Sequence, residues 1–164
     1  MIFKFLGKDL YISFSIVALI YFLDRLTKIF VIQLDKNNLG SDIFNSTYLN
    51  IVLIWNKGIA FGLFSFDEVF LYNILSLMIS VIIIILVIMS LNNNGFKKYL
   101  LLMIVGGALG NLHDRIFFKA VPDFIDLHVN DFHWFIFNVS DIFITFGVIF
   151  LIMLEIISNK KEKL

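Results

Sequence analysis

The chain has 164 residues, thirteen basic and thirteen acidic side chains, no cysteine, 60% hydrophobic residues and a mean hydropathy of +0.93. Soluble domains are usually about 45–50% apolar, so lipid is the expected solvent and residues 1–164 have the size of one small membrane domain. Balanced charge without a basic face excludes nucleic acid as a partner, and the missing thiols exclude disulfides, thiolate metal sites and a cysteine nucleophile.

A span needs about 20 largely apolar residues. The first is expected over about 10–31, within MIFKFLGKDLYISFSIVALIYFLDRLTK. Its two lysines and apolar run are like a signal peptide, but no small-x-small cleavage site follows. Asp24, Arg25 and Lys28 stand where that site would be, so a retained first helix is expected. An outer loop over about 33–68 comes next. In it TYLNIVLIW is rich in β-formers, NKG is a turn, and IAFGLF is predicted to return as a second strand of a small sheet on the membrane surface. Residues 69–91 make the cleanest span, and residues 99–117 a third that soon reaches the polar triplet His113-Asp114-Arg115. A second outer loop, about 118–134, carries aromatic residues suited to an interface. The fourth span is expected over about 135–157.

Four spans put both termini on one side. Lys4, Lys8, Lys97, Lys98, Lys160, Lys161 and Lys163 share that side on short segments, which makes it cytoplasmic. Most carboxylates fall on the other side, and any chemistry is expected there.

Each polar residue has a plain reading beside a functional one. Asp24 and Lys28 are an i,i+4 pair in the favourable order, sufficient as a helix brace. Asn56 and Gly58 suit a turn, which does not explain an amide among so many apolar neighbours. Gly106 and Gly110 form a small-xxx-small face for close helix approach. Asn111, Asp114 and Arg115 follow on one helical face, either as a self-neutralising helix end or as the lining of a cavity. Asp123 alone is a solvated loop carboxylate. Asp141 is either a first-turn acid behind an Asn138 N-cap, or an active group whose use offsets the ~2.5–3.5 kcal/mol cost of a carboxylate in a membrane helix. The spacing of the two aspartates favours the second. One lies just after the third span and the other at the start of the fourth, so both reach the same outer surface. Two carboxylates in a poorly hydrated site cannot both ionise easily and titrate as a pair, the arrangement by which acid proteases activate water. An ion-coupled transporter would place such groups near the midplane, and a non-catalytic scaffold gives no reason for two converging aspartates.

With DRLTK, WNKGIAFG, GGALGNLHDRI, VPDFID and FNVSD in that order among four spans, nearly the whole chain resembles the lipoprotein signal peptidases, the type II signal peptidases of bacteria. Lysine at position 57 and serine at 140 depart modestly from the family pattern. The resemblance implies an all-α integral membrane protein with four transmembrane helices, a small extracytoplasmic β-cradle and a short surface helix. It implies an aspartic endopeptidase of the cytoplasmic (inner) membrane that cuts diacylglyceryl-modified prolipoproteins just before the lipidated lipobox cysteine. Asp123 and Asp141 match its catalytic pair. Asp24, Lys28, Asn56, Gly58, Asn111, Asp114, Arg115 and Asn138 match its other recurrent positions, in substrate binding or support of the pair. Membrane lipid and cyclic peptide inhibitors of the globomycin type are implied as ligands, with no cofactor and no metal, and a monomer suffices. His113, His128 and His133 are read as interfacial residues.

Overall fold

The computed structural model describes residues 2–38, 42–58 and 69–161. In chain order these form α1 (Ile2–Asn37), β1 (Phe44–Asn45), β2 (Leu49–Asn56), α2 (Val69–Leu91), α3 (Gly95–Phe118), β3 (Val121–Val129), β4 (Phe132–His133) and α4 (Val139–Lys161). Among the described residues, three helices contain stretches long and apolar enough to cross a membrane: Tyr72–Leu91, Gly95–Phe118 and Val139–Ser158. At 36 residues α1 is about 54 Å long, at about 1.5 Å per residue, against a bilayer hydrocarbon core of about 30 Å.

Its buried position explains the modest hydropathy of α3. It is the central helix, packed against α1, α2 and α4. Leu100, Leu101, Leu102, Ile104 and Val105 are buried on it, whereas α2 exposes Ile82, Ile84 and Ile85, and α4 exposes Phe146, Ile149 and Ile152. An exposed apolar surface around a bundle whose polar groups point inward is what lipid demands. Small residues permit the close packing. A Cβ at Gly106 would lie 2.9 Å from Ile20 Cβ on α1, and one at Gly107 would lie 2.6 Å from the Ser140 carbonyl oxygen on α4. Gly107 thus joins the pair of glycines expected from spacing.

The strands form an antiparallel sheet in the order β1-β2-β3-β4. TYLNIVLIW does supply β2, but its long partner is β3 from the second outer loop, and the proposed return strand IAFGLF lies outside the described residues. The PDFIDLHVNDFHW segment is therefore sheet and not a bare connector, and among the described residues no short surface helix occurs. Lys119, at φ 57, caps α3 in the left-handed conformation and turns the chain directly into β3. Residues expected in the fourth span are also drawn into the sheet. The Phe137 N–H donates to the Ile125 carbonyl (3.1 Å), and the Phe137 carbonyl accepts from Phe124 and Ile125 (3.0 and 2.8 Å). So α4 begins at Val139, with Asn138 held against β3.

One irregularity positions the site. Ile51 faces Ile125 but Ile54 faces Asp123, so β2 has one extra residue and bulges between them. Side chains alternate along a strand, and a one-residue slip moves the rest to the other face. The bulge therefore turns Asn56, which pairs with Val121, onto the face of β3 that carries Asp123.

Candidate active site

Two aspartates border one cavity of about 400 Å³ between α3, α4 and the sheet, within the range of small-ligand sites. Asn56, Asn111, Arg115, Asp123 and Asp141 supply its polar lining, and Ile79, Ala108, Ile144, Val148 and Ile149 are among its apolar wall. Asp141 and Thr145 also border a second, apolar groove of about 430 Å³ with Leu127, Trp134, Phe135 and Phe137.

Asn138 contacts both carboxylates, Asp123 through its side chain and Asp141 through its backbone N–H. Its Oδ1 accepts the Asp141 N–H (3.1 Å), and its own N–H donates to Asp141 Oδ2 (3.2 Å). That reciprocal pair is a capping box, which starts α4. The remaining Nδ2 donates to Asp123 Oδ1 at 2.6 Å. One residue thus caps the helix and donates to both acids, through its side chain to Asp123 and through its backbone to Asp141.

Each carboxylate has a further donor. Asn56 Nδ2 donates to Asp123 Oδ2 (2.9 Å), while Asn56 Oδ1 accepts the Gly58 N–H (2.8 Å) in an Asx turn. Asn111 Nδ2 donates to Asp141 Oδ1 (2.8 Å). Burial, and secondly the negative charge of Asp141, push the Asp123 carboxyl up to about 6, against the opposing donors Asn56 and Asn138. Burial disfavours a charge and a like charge does the same.

Behind the cavity lies an ionic network. Lys28, fully buried, places Nζ 2.9 Å from Asp24 Oδ2, 2.7 Å from Asp114 Oδ2 and 2.9 Å from Asn111 Oδ1. Its three protons are thus all used. Because Lys28 holds the oxygen of the Asn111 amide, the nitrogen must face Asp141. Arg25 Nη2 pairs with Asp114 Oδ1 (2.6 Å) and Asp24 Oδ2 (3.3 Å). Asp24 Oδ1 accepts the Ser140 N–H (3.0 Å), which ties the network to the first turn of α4. Arg115 bonds the Gly58 carbonyl (3.1 Å) and the Asn111 carbonyl (3.3 Å).

Every candidate residue from the sequence is therefore in this assembly, but not in one layer. Asn56, Asn111, Arg115, Asp123 and Asp141 line the cavity, Asn138 bridges the aspartates, and Gly58 completes the Asx turn. Asp24, Lys28 and Asp114 form the ionic support. The helical face expected to hold Asn111, Asp114 and Arg115 together divides its work: Asp114 takes its ion pairs from α1, not from Arg115 beside it. Sequence reasoning did not place Arg25 or Ser140 in this network. It also missed that His133 bonds Asp126 and stacks on His128.

The family model for signal peptidase (SPase) II matches residues 16–157. The lipoprotein signal peptidase of Pelagibacter ubique (strain HTCC1062) is 47% identical over 155 residues, covering 94% of this chain and 93% of that protein. The lipoprotein signal peptidase of Anaplasma phagocytophilum (strain HZ) is 40% identical over 145 residues, 88% of this chain and 92% of its own. Two solved bacterial membrane enzymes superpose with TM-scores of 0.73 and 0.70 at 28% and 31% identity. They cover 93% and 88% of this chain and 91% of each neighbour.

Proposed function

The chain belongs to the signal peptidase II family, membrane aspartic proteases that remove signal peptides from prolipoproteins, and we propose that Asp123 and Asp141 are its catalytic pair. The observation that carries this is that both line one cavity and both carboxylates accept hydrogen bonds from Asn138, one from its side chain and one from its backbone. One carboxylate, ionised, takes a proton from a bound water as that water attacks the scissile carbonyl. Its partner, protonated, donates to the developing oxyanion, and protons then pass to the leaving amine of the cysteine. Such general acid–base steps are typically worth about 10²–10⁴-fold each. Asn56, Asn111 and Asn138 hold the two acids so that little reorganisation accompanies the charge movement. Arg115, bordering the cavity, orients the substrate backbone.

The substrate is a precursor with a diacylglyceryl-modified cysteine. Burying acyl chains gains about 0.8 kcal/mol per CH₂, and the apolar groove beside Asp141 suits that lipid. The bond to be cut is thereby held level with the acids. Cyclic peptide inhibitors of the globomycin type are expected to compete in the cavity, and a single chain supplies every residue invoked.

α1 is the fourth crossing. Its charges face Asp114 and Asn111, not lipid, which removes the penalty for carrying them across. At the far end of the bundle, Lys97 pairs with Glu155 (2.9 Å) and Lys98 with Asp9 (3.3 Å). That lysine-bearing end is cytoplasmic by the positive-inside rule, and the sheet faces out of the cell across the inner membrane. Cleavage of lipidated and unlipidated precursor peptides by the native protein, Asp123→Asn and Asp141→Asn tests the whole reading. Lipid-dependent cleavage by the native enzyme alone is expected; normal processing by either variant refutes the pair.

A further inference from the structure

We propose that Asp126, His128 and His133 form a binding site for a divalent transition-metal ion of the zinc class on the outer sheet, apart from the aspartate pair. Asp126 and His128 are two residues apart on β3 and so share a face. β4 sets His133 directly across from His128, which brings a third side chain onto that face. His133 Nδ1 lies 2.9 Å from Asp126 Oδ2, and the two imidazoles stack with centroids 4.9 Å apart. One donor atom from each residue lies within 4.8 Å of the others. Tetrahedral ligands about 2.0–2.1 Å from an ion stand roughly 3.4 Å apart. Closure thus asks for up to about 1.4 Å, within reach of a His133 side chain that is 52% exposed.

A second observation points the same way. His128 Nδ1 is buried without a hydrogen-bond partner among the described residues, whereas buried polar atoms ordinarily have one. A cation in the cluster gives this group of side chains a common partner. Asp126 is 4% exposed and is steadied by Asn50 Nδ2 (3.4 Å), as a ligating carboxylate usually is. Two imidazoles and a carboxylate suit zinc and its neighbours, and three protein ligands leave a position open. Alternation along β3 puts Asp123 on the opposite face, so the ion does not share the cavity. Its effect is mechanical: it clamps β3 to β4 close to the strand residue that the proposed chemistry uses.

Untagged protein in detergent micelles, stripped with a chelator, is titrated with Co(II). The expected result is a visible absorption of one bound ion per chain, displaced by Zn(II). Binding should be at least tenfold weaker in His133→Gln and His128→Asn, and unchanged in His113→Asn. Zn(II) should also raise the melting temperature of the native protein but not of His133→Gln, whose exposed position leaves the fold intact. An unaltered aqueous Co(II) spectrum, or equal binding by the native protein and both cluster variants, overturns the site.

Discussion

Replacing Asn138 by Ala removes the acceptor for the Asp141 N–H and the 2.6 Å donor to Asp123 while leaving the backbone N–H to Asp141 in place. The lost cap costs about 1 kcal/mol of stability. The lost donor matters more for chemistry, because a hydrogen bond to a charged group is worth about 1.5–3 kcal/mol. That donor favours the ionised form of Asp123. Without it the carboxyl, already up to about 6, rises further by roughly one to two pH units, at about 1.36 kcal/mol per unit. The assay is kcat/KM for a lipidated precursor peptide from pH 4 to 9. One limb of the pH–rate profile should move upward by that amount in Asn138→Ala. In Asn138→Asp the cap acceptor survives but an oxygen replaces the donor facing Asp123, so the shift should be larger although the helix start is kept. Both limbs unmoved in both variants would refute the bridging role of this amide.

The raised Asp123 carboxyl also makes stability depend on pH. Its folded value lies above the ordinary 3.8, so the native state binds the proton more tightly, and its contribution is present at low pH and lost between about 3.8 and 6. Above that the buried charge costs about 3 kcal/mol, so the melting temperature of Asp123→Asn relative to native should climb from pH 4 to pH 7; a constant difference would contradict the burial argument. Lys28→Met leaves Asp24 and Asp114 with Arg25 alone, and thermal unfolding in micelles should show a loss of about 3–5 kcal/mol. Gly107→Ala drives a methyl into the Ser140 carbonyl and Ile144, at a cost of about 1–3 kcal/mol in melting experiments. Gly7→Ala, with nothing within 4 Å of the new carbon, should be silent beside it.

The apolar helices α2 and α3 were legible because lipid imposes a strong compositional rule on each segment by itself. What escaped were pairings between segments distant in sequence. Asp24 and Lys28 look like a local i,i+4 brace, and they are one, yet the partners that justify burying them, Asp114 and Asn111, lie more than eighty residues away. The β-rich run before Asn56 was visible, but nothing local distinguishes a strand that folds back on itself from one that pairs with residues 121–129. Phe135–Phe137 are as apolar as the helix they precede, so only their hydrogen bonds to β3 reveal that α4 starts at Val139. Asp126, His128 and His133 were plain in the chain but were read along a loop; a hairpin folds them onto one side.

The bridge made by Asn138 has a bearing on biogenesis. The ribosome delivers Asp123 before the final helix, and domains assemble as their segments emerge. A chain still lacking its last stretch has neither the second acid nor the amide that orients the first. With Asp123 and Asp141 as the proposed pair, a chain whose α4 has not yet joined the bundle is expected to lack peptidase activity.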